Sequence, residues 1–93
     1  MHDRILKRIR IKVRARQYVM TLHADEEMDS DGLTIFDVES GVLTGEIVER
    51  QKDAKTSEWK YVVRGRTLDG APVVVVSKLT LTGKVAFITV YRP

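Results

Sequence analysis

The chain predicts an α+β fold, with N-terminal helices packed on one face of a four-stranded antiparallel sheet. Three observations carry that prediction. Apolar residues first recur at helical spacing, as Ile5, Leu6, Ile9 and Val13 and again as Ile35, Val38, Val42 and Leu43. Alternation at period two takes over later, most clearly from Trp59 to Arg66. Two tight turns, Asp69-Gly70 and Thr82-Gly83, punctuate that second half.

The first helix is expected from Asp3 to about Val13, with basic residues between its apolar positions. Gln17 to Leu22 alternates around Tyr18, Val19 and Met20 and reads as a short extra strand or an extended connector. Thr21 offers an N-cap for a helix from about Leu22 to Ser30, which puts His23 in the first turn and Gly32 at the stop. Asp25, Glu26 and Glu27 suit the start of that helix, whereas Asp29 and Asp31 oppose its dipole and keep it short. Thr34 and Asp37 have capping-box spacing, and Gly45 is expected to close the third helix as a C-terminal cap.

Four strands should follow. Glu46–Gln51 is the first, and a polar loop from Lys52 to Glu58 leads to the second, Trp59–Leu68. The second sets Trp59, Tyr61 and Val63 on one face and Lys60, Val62, Arg64 and Arg66 on the other. Pro72 opens the third, whose run Val73–Val76 is apolar on both faces and suits a central strand. In the last, Lys84–Arg92, alternation sets Val85, Phe87, Thr89 and Tyr91 one way and Ala86, Ile88 and Val90 the other.

At 93 residues the chain is one domain, 1–93, with room for a single core between two layers. Hydrophobic residues at 43% and charged ones at 31% fit a soluble globular protein. With no cysteine, disulfides and thiolate metal sites are excluded. No apolar run reaches membrane-span length and the N-terminus lacks a signal-peptide core, so the expected location is cytoplasmic, with no membrane partner. The net charge of +3 is unevenly spread. Residues 1–16 hold seven bases against one acid, a balance of +6, while the rest holds nine bases against twelve acids, −3. Such a basic arm suits nucleic acid, an acidic partner, or the chain's own acidic segment.

Several pieces resemble a small bacterial family, domain-of-unknown-function family 4258. They are Thr21-Leu22-His23-Ala24 with Met28 beyond it, Gly45-Glu46-Ile47-Val48-Glu49, Gly65, Asp69-Gly70-Ala71-Pro72-Val73 and Ile88-Thr89-Val90-Tyr91. Their order and spacing cover about Ile5 to Arg92. The family is similar in layout to RelE-like and barnase-like RNA-cleaving toxins. That likeness implies a metal-independent endoribonuclease, an inactive relative of one, RNA as substrate and an antitoxin-like protein as partner. The family pattern carries an arginine before the methionine and another shortly after it. This chain departs from it, with Glu27 before Met28 and Asp29-Ser30-Asp31 after, so two cations are missing from the implied phosphate surface.

Cleavage of that kind needs a base for the ribose 2′-OH, an acid for the leaving oxygen and cations for the phosphorane. His23 is the candidate base, Arg64 and Arg66 the phosphate clamp, and Tyr91 a hydroxyl donor. These four form the candidate catalytic set. Glu27, one helical turn beyond His23, would orient it. Thr89 would add a second hydroxyl, and Trp59 or Tyr61 would stack on a base. Arg8, Lys12, Arg14 and Arg16 on the basic arm are the candidate nucleic-acid contacts.

Each residue also has a plainer role. His23 suits a hydrogen-bonded strut, Arg64 and Arg66 a solvated face or pairs with Glu46 and Glu49, and Trp59 and Tyr91 the core or its rim. The acids around Met28 lack the ordered ligand loop of a calcium site, so no metal and no cofactor are expected. The alternative to an enzyme is a non-enzymatic protein- or nucleic-acid-binding module, acting as monomer or homodimer. The valine-rich strand would pair across chains if it lay at an edge.

Overall fold

The computed structural model describes residues 2–93. The first helix, α1 (Asp3–Arg14), buries Leu6, Ile9 and Val13, the predicted stripe. The following helix, α2 (Leu22–Asp31), starts where Thr21 accepts a hydrogen bond from Ala24 N at 3.1 Å and stops at Gly32, whose φ is 65°. The third, α3 (Ile35–Thr44), opens on a complete capping box. Thr34 Oγ1 accepts from Asp37 N at 3.3 Å, and Asp37 Oδ2 accepts from Thr34 N at 3.0 Å. These boundaries follow from local signals, and the sequence predicts all three helices.

The strands are β1 (Tyr18–Met20), β2 (Glu46–Lys52), β3 (Trp59–Arg66), β4 (Pro72–Leu79) and β5 (Val85–Tyr91), in the spatial order β1-β5-β4-β3-β2. Strands β2 to β5 form the predicted antiparallel meander. The sheet is five-stranded and mixed rather than four-stranded and antiparallel, because the extra strand allowed for at 17–22 forms. The connector between α1 and α2 is a fifth strand, and it lies parallel to β5, with Tyr18 opposite Val85 and Met20 opposite Phe87. It supplies partners to backbone groups that β5 would otherwise leave unpaired: Val85 N donates to Gln17 O at 3.0 Å, and Thr21 N donates to Phe87 O at 3.1 Å. The valine-rich strand β4 is central, so it offers no edge to another chain.

The core lies between the helices and one sheet face. Ile9, Val38 and Val42 from the helices meet Val63, Val73, Val75, Phe87 and Val90 from the strands, all fully buried. Here α3 lies directly on the sheet. A Cβ on Gly65 of β3 would overlap the carbonyl oxygen of Gly41 in α3, so only hydrogen fits there. Gly45 closes α3 as the predicted C-terminal cap, without the left-handed turn common at that position. Its backbone is extended (φ −94°, ψ −174°), and a Cβ there would lie 2.6 Å from the Arg64 carbonyl oxygen.

Two bulges decide which side chains face out. One sits in β2 between Ile47 and Glu49, leaving Val48 exposed. The other sits between β4 and β5: Thr89 lies opposite Val76 and Phe87 opposite Ser77, which leaves Ile88 as the extra residue. The simple alternation predicted for the last strand therefore fails. Val85, Phe87 and Val90 enter the core, while Thr89 and Tyr91 turn to the opposite, helix-free face.

Candidate functional site

His23 is the second residue of α2, and its side chain is 68% exposed. Its Nε2 lies 3.2 Å from Glu27 Oε1, across one helical turn. Glu27 has a second duty, because the same oxygen accepts a hydrogen bond from Val90 N at 3.2 Å. One turn further on, Asp31 Oδ2 accepts from Arg92 N at 2.9 Å, and the Asp31 carbonyl accepts from Arg92 Nε at 2.9 Å. Thr21 Oγ1 donates to Ile88 O at 3.1 Å. Thus α2 runs along the edge of β5 beyond the point where β1 ends, and its side chains satisfy the free strand backbone. A surface hollow opens there, lined by His23, Glu26, Glu27, Ser30, Asp31 and Tyr91. Of the candidate cleavage residues it unites His23, Glu27 and Tyr91.

The two strand arginines open elsewhere. Arg64 lies opposite Val74, and Val74 opposite Tyr91, so all three share one row on the helix-free face. Arg64 and Tyr91 are therefore two strand spacings apart, about 10 Å between Cα atoms. Arg64 and Arg66 line a separate hollow with Thr44, Gly45, Glu46, Gly65 and Pro72. The Arg66 guanidinium donates to Gly70 O at 3.0 Å and so braces the β3–β4 turn. Thr89 stands in the neighbouring row, with Val76, Val62 and Glu49. The predicted catalytic set thus shares a sheet face in part but not a single cleft.

Trp59 and Tyr61 sit on the opposite face, the one α1 covers. Tyr61 is buried, with its ring edge-on to His2 at 6.2 Å. Trp59 is 39% exposed. The Arg50 guanidinium lies over its ring at 4.1 Å from the centroid, and Lys52 Nζ is 5.7 Å away. A shallow hollow beside it is lined by Ile5, Arg8, Glu58, Trp59, Tyr61 and Leu79. Arg8 and Trp59, predicted separately, therefore line one hollow. The Glu58 carboxylate in that hollow is held by Lys78 Nζ at 3.2 Å. Along α1, Arg4, Lys7, Arg8, Ile11 and Arg14 are exposed, at spacings of three and four that make one outward stripe. Arg16 is exposed just beyond it, and Lys12 is half-buried.

Sequence reasoning missed two sets of polar residues. Arg10 does not join the basic face. Its Nε donates to Val42 O at 3.1 Å and its Nη2 to Gly45 O, closing the C-terminal end of α3. Its slot beside the buried Leu6, Ile9 and Val13 is the one local sign that it turns inward. The strand-covering role of Glu27 and Asp31 has no local sign, because their partners lie 63 and 61 residues away. Among the described residues, no group of three or more metal-ligating side chains comes together.

The architecture is that of a small α+β domain with three helices on one side of a mixed sheet, carrying an acid-lined histidine hollow and a basic, tryptophan-bearing patch. The chain belongs to the family described as domain of unknown function DUF4258, whose model matches residues 20–92. That span begins inside β1, so the resemblance is narrower than the expected Ile5–Arg92, and α1 lies outside it. No curated protein and no solved structure matches the chain. No helix among the described residues is long and apolar enough to cross a membrane.

Proposed function

We propose that this chain binds RNA through the outward stripe of α1 and the adjoining end of β2 and β3, and that it does not cleave it. The observation that carries this reading is the shared hollow of Arg8 and Trp59, with Arg50 stacked on the indole. Cations that neutralise phosphates supply most of the affinity in such contacts, and an exposed ring adds a surface for a base. The loss of cleavage rests on charge. Glu27 contacts the imidazole and Glu26 and Asp31 line the same hollow, while Arg64 and Arg66 line a different one. A phosphorane formed beside His23 would face carboxylates where it needs cations. A cytoplasmic location goes with this partner.

Binding to a labelled RNA at several salt concentrations tests the reading. Neutralising Arg4, Lys7, Arg8 and Arg14 to Gln should weaken binding and flatten the salt dependence by up to about one unit of slope per lost phosphate contact. A second reading, metal-independent RNA cleavage held in check by an antitoxin-like protein, draws on the 3.2 Å His23–Glu27 contact and on Tyr91 in the same hollow. RNA cleavage by the purified protein, lost in a folded His23→Ala variant, would replace the first reading with the second.

A further inference from the structure

Resting on that RNA-binding reading, we infer that Trp59 is the seat for one unpaired base, so that the ligand is single-stranded. Trp59 opens β3, opposite Lys52 at the tip of the β2–β3 pair and two residues beyond the last β3–β4 partners, Tyr61 and Ser77. Its indole is kept partly in water while Tyr61, two residues on and on the same face, is buried. The guanidinium of Arg50 holds the ring by stacking on it at 4.1 Å. An indole pinned in this way is pre-oriented, and little side-chain freedom is lost when a base stacks against it.

The charges around the ring favour a nucleotide. Arg50 and Lys52 of β2 and Arg8 of α1 bring three cations to the site from two elements. The two nearby acids are already engaged. Glu58 is held by Lys78 at 3.2 Å, and Asp53 Oδ1 accepts from Lys55 N at 2.9 Å and Thr56 N at 3.4 Å within its own turn. A base stacked on Trp59 therefore has cations on either side for its flanking phosphates. A duplex cannot use this seat, because its bases are already stacked on each other and present only their edges. Bases in single strands expose their faces, and aromatic–base stacking of this kind tolerates any sequence.

The test uses a built-in reporter, since Trp59 is the chain's single tryptophan. The full chain is titrated with a single-stranded RNA of about twelve nucleotides, within the usual footprint of such surfaces, and with the same strand annealed to its complement. The expected result is quenching of tryptophan emission by the single strand only, with the duplex bound more weakly. Trp59→Leu should lower affinity for the single strand about tenfold, as expected for one lost stacking contact. Trp59→Phe, which keeps a ring, should retain most of it. The inference is overturned by salt-dependent binding with unchanged emission, by equal affinity for duplex, or by full affinity in a folded Trp59→Leu variant. In those three cases the RNA-binding reading itself survives. If neither RNA binds at any salt concentration, both fall together.

Discussion

At the free edge of β5, α2 covers strand N–H groups with carboxylates: Glu27 on Val90 and Asp31 on Arg92. At the end of β3, α3 does the same with hydroxyls. Thr44 Oγ1 accepts from Arg66 N at 2.9 Å, and Ser40 Oγ donates to Arg66 O at 2.8 Å. The α3 contact is also sealed by backbone, with Gly41 against Gly65. The α2 contact is solvated, and it borrows a residue from the histidine hollow, since one oxygen of Glu27 meets both Val90 N and His23. One helix is thus pure scaffold, while in the other the scaffold and the candidate site are the same side chains. Glu27 and Asp31 thus serve the strand edge first. They complete the sheet edge, and in doing so they take positive charge away from the imidazole.

The sharpest way to break this contrast is one substitution made in both places. Gly65→Ala drives a Cβ into the Gly41 backbone and should cost about 3 kcal/mol, read as a lower urea midpoint with an unchanged slope. Gly32→Ala, at the end of α2, meets no atom within 4 Å and carries only the penalty of φ 65°, about 1 kcal/mol. Equal losses would erase the distinction between a sealed and an open helix contact.

Next in size are the covering side chains. Glu27→Ala strips the acceptor from a part-buried N–H and should cost about 1–2 kcal/mol, whereas Glu27→Gln, which keeps an acceptor oxygen, should cost less than about 0.5 kcal/mol. Thr44→Val removes the acceptor for Arg66 N with little change of shape and should cost about 1 kcal/mol. If Gln is as damaging as Ala at position 27, the charge itself matters and the edge is held electrostatically.

The smallest effects at neutral pH come from two groups that tie α3 to the sheet. Asp37 accepts from Thr34 N and from Leu68 N, and these bonds hold its carboxyl below the ordinary value of 3.8 despite partial burial. A depressed carboxyl stabilises the fold above its unfolded value, and that contribution is lost as pH falls through the folded one. Asp37→Asn should therefore flatten the acid limb of the stability curve below about pH 4. Tyr18 works at the other end. Burial, then its 2.6 Å hydrogen bond to Glu39, push the phenol from 10.0 up to about 12. A raised phenol stabilises fully below its unfolded value, and the contribution fades as pH climbs towards about 12. Tyr18→Phe should flatten the alkaline limb, followed by circular dichroism, and leave the acid limb unchanged.

Much of the scaffold was readable before any coordinates. Thr21, Gly32 and the Thr34–Asp37 box mark helix ends because each acts within a few residues, and Asp69-Gly70 marks its turn for the same reason. The candidate site was readable only in pieces. His23 with Glu27, and the parity of Arg64 and Arg66 on β3, follow from periodicity within one element. Which pieces meet does not. The Ile88 bulge turned Tyr91 and Thr89 onto the helix-free face, and nothing in the run Ala86-Phe87-Ile88-Thr89-Val90 announces it.

By itself, then, the sequence determined where helices and strands begin, which stripe of each is apolar, and that charge gathers on the first helix. Only the tertiary structure decided that β1 would lie parallel to β5, that Glu27 and Asp31 would cover its edge, and that Arg8 would share a hollow with Trp59. The first set depends on interactions between near neighbours, which leave a period or a cap in the chain. The second depends on groups brought together across more than fifty residues, which leave no mark in either local run.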